Sequence, residues 1–284
     1  MTAAFHRPLI MGVLNVTPDS FSDGGKFTSV DQALDHAKLL VMGGANIIDI
    51  GGESTRPGAE RVGLAEEQAR VIPAIRAIRE YLDGAGLADV QISIDTMNAT
   101  TAEAAIVAGA SIINDVSGGL ADPQMFAVAA NTSATIAIGH WRGFSDSMDS
   151  LNEYQDIASD VANELSARVA EAISAGIARD RIVLDPGLGF AKDMRQNWQL
   201  VARLDAIESL GLPILVGASR KRFIAGAIEP EDPTAADNDR RDLATAVLSA
   251  LLLQRKLWGI RVHNVIATSD AIAIVEALRN GEHE

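Results

Sequence analysis

The sequence contains no cysteine in 284 residues. Disulfides, thiolate zinc sites and cysteine nucleophiles are therefore excluded, and a reducing, cytoplasmic setting is expected. No run of about 18 apolar residues occurs, so no membrane-spanning helix is expected. The short apolar run from Pro8 to Val16 lacks a basic segment before it and a plausible cleavage site, and a signal peptide is not expected. Positive charge is also scarce. Lys and Arg number 24 against 38 Asp and Glu, giving a formal net charge of −14, which argues against nucleic acid or an anionic membrane as the main partner. No GxGxxG follows the first apolar run, which weakens a dinucleotide-binding reading.

What is present is a large hydrophobic share, 48%, enough for one extended core. The whole chain, 1–284, reads as a single domain. The acidic stretch Glu229 to Asp239 is too short to be a linker and reads as an exposed loop. Short apolar runs recur at Leu9 to Leu14, Asn46 to Ile50, Val90 to Ile94, Ser111 to Asn114, Ala134 to Ile138, Arg181 to Leu184, Pro213 to Val216 and Gly259 to Val262. They are continuous rather than alternating, as strands of a parallel sheet buried on both faces must be. Helical spacing fills the intervals. Leu64 to Tyr81 sets Val71, Ile72, Ile75 and Ile78 on one face, and Glu153 to Ala175 does the same with Tyr154, Ile157, Val161, Leu165 and Val169. Eight strands each followed by a helix predict an α/β fold of the (β/α)8 TIM-barrel type, which commonly takes roughly 250 residues. A doubly wound open sheet is the alternative.

In such a barrel the active site forms at the C-terminal strand ends, and the unusual polar residues fall there. The first strand runs into Asn15, the third into Asp95, the fourth into Asn114 and Asp115, and the sixth into Asp185. The seventh leads to Ser219, Arg220, Lys221 and Arg222, and the eighth carries Arg261 and His263. A single polar tip reads equally well as a helix cap; the whole set reads as a binding site. The five cations lie where barrels often bind phosphate, although a solvated basic loop is the plain alternative. Asp95, Asn114, Asp185 and Lys221 suit a flat heterocycle with N–H donors and a carbonyl, and internal ion pairs such as Asp185 with Lys221 are the alternative. Two irregular segments, Asn15 to Thr28 and Gly51 to Gly63, are candidate lids.

These residues also sit in seven segments that resemble the dihydropteroate synthase family, in order and spacing. They are MGVLNVTPDSFSDGG from Met11 to Gly25, GGESTRPGA from Gly51 to Ala59, SIDT at Ser93 to Thr96, INDVSGG at Ile113 to Gly119, DPGLGFAK at Asp185 to Lys192, GASRKRF at Gly217 to Phe223 and RVHNV at Arg261 to Val265. The resemblance implies a transferase of folate biosynthesis, and a sulfonamide target, that joins 6-hydroxymethyl-7,8-dihydropterin pyrophosphate to p-aminobenzoate. It implies that Asp95, Asn114, Asp185 and Lys221 hold the pterin. Asn15, Thr55, Arg56, Arg261 and His263 would hold the pyrophosphate, with Asn15 beside a Mg2+ ion carried by the substrate. Phe21, Phe190, Ser219 and Arg222 would border p-aminobenzoate, Asp23 would act from the first lid, and Lys221, Asp185, Arg261, His263 and Asp23 would form the catalytic set. A homodimer is also implied.

Three positions depart from the family pattern: Asn264 where Asp is common, Arg222 where Ser is common, and Trp141 where Met is commoner. Asn264 removes a charge beside His263. The expected chemistry is substitution at the pterin's exocyclic CH2, and it needs no activated side-chain nucleophile. The rival readings are a non-catalytic pterin-binding paralogue, a corrinoid-dependent methyltransferase on a similar barrel, and a Schiff-base aldolase using Lys221.

Overall fold

The computed structural model describes residues 7–17, 29–53, 62–144 and 148–281. Its elements run β1 (Leu9–Asn15), α1 (Ser29–Met42), β2 (Ile47–Gly51), α2 (Leu64–Gly84), β3 (Gln91–Asp95), α3 (Ala99–Ala108), β4 (Ile112–Asp115), α4 (Met125–Ala130) and β5 (Thr135–Gly139). They continue with α5 (Ile157–Ser174), β6 (Ile182–Asp185), α6 (Met194–Ala202), α7 (Asp205–Glu208), β7 (Leu215–Val216), α8 (Arg222–Ile228), α9 (Asn238–Leu252), β8 (Gly259–Val262) and α10 (Val265–Gly281). The strands are parallel in the order β6-β5-β4-β3-β2-β1-β8-β7. Between β6 and β7 the amide of Leu184 donates to the carbonyl of Pro213 at 2.8 Å, beside a parallel bridge from Leu184 to Ile214. This seam closes the sheet into a barrel, so the open doubly wound alternative is set aside.

Alternation along each strand sorts its residues into two sets. Ile10, Leu14, Ile48, Ile50, Ile92, Ile94, Ile113, Ile136 and Ile138 face outward and pack beneath the helices in the main apolar core. The opposite set builds the interior. Met11, Ile47, Ile112, Ala137, Val183 and Leu215 form a separate buried cluster that plugs the barrel. Towards the C-terminal ends the inward positions turn polar: Asp49, Ser93, Asp95, Asn114 and Asp185 are all buried. An apolar floor thus lies under a polar mouth.

Local signals explain the boundaries. α5 begins at Ile157 rather than near Glu153 because the Asp156 side chain accepts from the amide of Ser159 and caps it. α2 runs three residues past Tyr81. The expected loop Glu229 to Asp239 ends two residues early: it has a short 3-10 turn at Pro233–Ala235, and Asp237 caps α9 through the amide of Arg240, so Asn238 and Asp239 are already helical.

Candidate active site

Register brings the polar tips together. Asn15 pairs with Gly51, Gly51 with Asp95, and Asp95 with Asn114 across four neighbouring strands. Gly51 leaves room between its neighbours: a methyl there would lie 3.5 Å from the Asp95 Cβ and 3.6 Å from Asn15 Oδ1. Asn15 and Asp95 therefore overlook one small gap at the rim.

Arg261 reaches across the barrel from β8. Its Nε donates to Asp49 Oδ2 and its Nη2 to Asp95 Oδ2, each at 2.6 Å. Asp49 is fully buried and also accepts from Asn114 Nδ2 at 3.2 Å. Burial works against the Arg261 charge, but the facing carboxylates of Asp49 and Asp95 overcome it and raise its pKa further. Burial pushes Asp95 up to about 7, with Arg261 pulling the other way. The central guanidinium is thus held by two buried carboxyl groups, one from β2 and one from β3.

The second half of the mouth comes from β6 and the turn after β7. Asp185 Oδ1 accepts from the amide of Gly187 at 2.8 Å. Burial raises the Asp185 pKa, against the pull of Lys221. Lys221 donates to the carbonyl of Leu188, and its Nζ lies 4.0 Å from the centre of the Phe190 ring. Burial brings Lys221 down to about 8, with Asp185 opposing and Arg261 assisting. Gly189 is required beneath this lysine, since its φ is +78° and a Cβ there would overlap Lys221 Cδ. Ser219 Oγ accepts from the amide of His263 at 3.1 Å and contacts His263 Nδ1 at 2.9 Å, tying the β7 turn to the end of β8. Among the described residues no group of three His, Cys, Asp or Glu is gathered as a metal cage.

A barrel mouth with Asp49 and Asp95 round Arg261, and Asp185 beside Lys221, is the geometry into which the comparisons fit. The model of the family described as pterin binding enzyme matches residues 11–263. The chain is 46% identical to the dihydropteroate synthase of Streptococcus pyogenes serotype M3 over 272 residues, 95% of each protein.

The chain belongs to the dihydropteroate synthase family.

Among solved structures, the Xanthomonas albilineans synthase with 4-aminobenzoic acid superposes with a TM-score of 0.86 at 37% identity, covering 97% of this chain and 94% of that one. The Yersinia pestis synthase, solved as a sulfonamide drug complex, gives 0.84 at 37% identity, covering 99% and 97%.

Within this synthase the residues expected at the site divide into three groups. Asn15, Asp95, Asn114, Asp185, Lys221, Arg261, Ser219, His263 and Phe190 lie on the barrel mouth or the turns that form it. Phe21, Asp23, Thr55 and Arg56 lie outside the described residues. The remaining cations do not all join the mouth. Arg220, at φ 60°, turns away and binds Asp242 of α9 through two bonds of 2.8 and 2.7 Å, and Arg222 is the exposed first residue of α8. Arg220 thus leaves the expected cluster of five cations, because a buried carboxylate on α9 claims it. Asp115 also departs from the mouth. Its parity points it outward, where it accepts from the amides of Ser117 and Gly119 and shapes the turn after β4. Asn264 keeps the capping role an Asp would have, its Oδ1 accepting from the amide of Ala267 at 3.0 Å. The residue that reasoning from strand tips missed is Asp49. Its signal was a lone carboxylate inside the apolar run Ile47–Gly51, where burial demands a cationic partner.

Proposed function

We propose that this synthase binds 6-hydroxymethyl-7,8-dihydropterin pyrophosphate across the barrel mouth and joins its exocyclic carbon to the aniline nitrogen of p-aminobenzoate, giving 7,8-dihydropteroate and pyrophosphate in folate biosynthesis. One observation carries the reading. Asp95, Asn114, Asp185 and Lys221 stand round a single polar mouth above an apolar floor, with acceptors and a donor suited to a pterin's edges. In this reading the carboxylates of Asp95 and Asp185 accept from the ring N–H groups and Lys221 donates to the ring carbonyl.

The C–O bond to pyrophosphate breaks, the C–N bond forms, and the new secondary amine loses one proton to solvent. The aniline is nucleophilic without help, so the protein's task is to stabilise departing charge. Arg261 and His263 suit that role as cations or donors fixed in place before the reaction. The electron-rich pterin stabilises a cationic CH2, which favours a dissociative path. The lids expected at Asn15 to Thr28 and Gly51 to Gly63, with Phe21, Asp23, Thr55 and Arg56, would keep water from that cation.

Mg2+ bound with the substrate would neutralise part of the pyrophosphate charge. Asn15 Oδ1, at the rim beside Asp95, would be the protein's hard oxygen donor to it. Phe190, Ser219 and Arg222 are assigned to the p-aminobenzoate side, where sulfonamides would compete. We assign the protein to the cytoplasm; among the described residues no helix is long and apolar enough to cross a membrane. A homodimer is proposed through α9 and α10. Leu243, Val247 and Leu251 form an exposed stripe one turn apart on α9, and the adjoining α10 exposes Ile274 and Leu278.

Pyrophosphate release tests the reaction. It should depend on p-aminobenzoate and stop when that substrate is omitted. Release at the same rate without p-aminobenzoate would make the protein a hydrolase, and no release with both would make it a pterin-binding protein only.

A further inference from the structure

Lys192 is buried directly behind the turn that follows β6 and is not among the groups assigned to substrate. Its Nζ lies 2.9 Å from His140 Nδ1, 3.0 Å from the Gly187 carbonyl and 3.0 Å from the Phe190 carbonyl. An ammonium has three protons and no lone pair, so all three contacts are donations. His140 Nδ1 must then be the bare nitrogen, and Nε2 donates to Glu164 Oε2 at 2.9 Å. Burial holds His140 neutral, pushed down to about 4. Glu164 is also gripped by Arg142, whose guanidinium lies 3.8 Å over the Tyr154 ring, and the Tyr154 hydroxyl donates to the Ala191 carbonyl at 3.0 Å.

This network therefore grips the carbonyls of Gly187, Phe190 and Ala191. The segment it grips turns through left-handed backbone three times, at φ of 65° and 78° on Gly187 and Gly189, which glycine accepts, and at 47° on Ala191, where the side chain makes it costly. The other side of the same turn presents the Leu188 carbonyl and the Phe190 ring to Lys221.

We propose that Lys192 is a positioning residue: its buried ammonium is the post round which residues 186–191 are wound, and it thereby sets Phe190 for p-aminobenzoate and Lys221 for the pterin. The inference rests on the substrate assignment above for those two side chains. Burial and the nearby Lys221 push Lys192 down to about 7, so its tests are run on the acid side of that value, where the ammonium is populated.

The absence of cysteine from the chain makes the test specific. Lys192→Met removes the ammonium and keeps the stem. Lys192→Cys, alkylated with 2-bromoethylamine in denaturant and refolded, restores an ammonium at the original length; refolded wild type is the control. Amide exchange over residues 186–191 in the substrate-free protein reads the post without turnover, and steady-state kinetics separate KM for p-aminobenzoate from kcat. The expected result for Lys192→Met is a cooperative melt, faster exchange confined to 186–191, and a KM for p-aminobenzoate raised about tenfold or more, all reversed by aminoethylation. Unchanged exchange in Lys192→Met, or a KM that aminoethylation fails to restore, overturns the proposal. If Lys192→Met does not fold, Glu164→Gln at the half-exposed end of the same chain carries the test, with a smaller shift in the same direction expected and no shift overturning it. A wild type that forms no dihydropteroate would sink the proposed function and leave the exchange measurement standing.

Discussion

At the scale of single residues, Arg261 carries two demands. Its guanidinium pairs with Asp49 and Asp95, and it is also the group assigned to pyrophosphate. Arg261→Ala leaves two buried carboxylates facing each other, and breaking a buried pair costs about 3–5 kcal/mol. Thermal melting should show that loss. A purely structural pair predicts equal losses of affinity for the pterin pyrophosphate and the bare pterin alcohol. The phosphate role predicts an extra loss of about 1.5–3 kcal/mol for the pyrophosphate alone, and titrating both ligands by calorimetry decides between them. Lys221 gives a prediction of a different kind. Its pKa is lowered to about 8, so the ammonium assigned to the pterin carbonyl is present below that value and lost above it. Pterin affinity should fall as pH rises through about 8, and Lys221→Met should bind weakly with that break removed. A break that survives in Lys221→Met would assign the titration to another group.

At the scale of elements, α2 is fastened to the tip of β3 by one buried carboxylate. Glu67 Oε1 accepts from Thr96 Oγ1 at 2.7 Å, and Oε2 accepts from Asn98 Nδ2 at 2.8 Å and Thr101 Oγ1 at 2.6 Å. Glu67→Ala strands three donors and should lower stability on the order of 3 kcal/mol. In urea the midpoint should fall with the slope unchanged; an unmoved midpoint would show that the contacts contribute nothing. Pterin affinity should fall with it, because Thr96 directly follows Asp95. The strands themselves were legible in the sequence, since burial on both faces forces continuous apolar runs, and all eight appear. Their ends were legible to within about one residue, because a polar tip is where the apolar run stops. What was not legible is which way a tip points. Asn114 and Asp115 are adjacent, yet parity sends one into the mouth and the other into a turn. Arg220 and Lys221 part in the same way, because Asp242 lies twenty-one residues beyond Lys221 and meets Arg220 only when α9 packs. Asp49 was hidden by its position below the tips, although its partner Arg261 stood out. The grip of Lys192 on residues 186–191 could not be read at all, since it depends on backbone carbonyls that carry no sequence signal.

At the scale of the molecule, the barrel presents one functional end and one apolar flank. The stripe Leu243, Val247 and Leu251 on α9, with Ile274 and Leu278 on α10, would be covered in a two-fold dimer in which the same patch serves both copies. Val247→Asp should convert a dimer to a monomer in sedimentation equilibrium, without altering the mouth. A wild type that sediments as a monomer would contradict the pairing. The central claim concerns the mouth, that its carboxylates and amine hold a pterin while its rim lets pyrophosphate go. It is tested most directly by mass spectrometry of the products formed from the pterin pyrophosphate and p-aminobenzoate by wild type and by Asp185→Asn. The account predicts dihydropteroate and pyrophosphate in equal amounts from the wild type, and a large loss of both from an Asp185→Asn protein that remains folded. Pterin pyrophosphate that is bound but unchanged by the wild type, or dihydropteroate formed equally well by the variant, would contradict it.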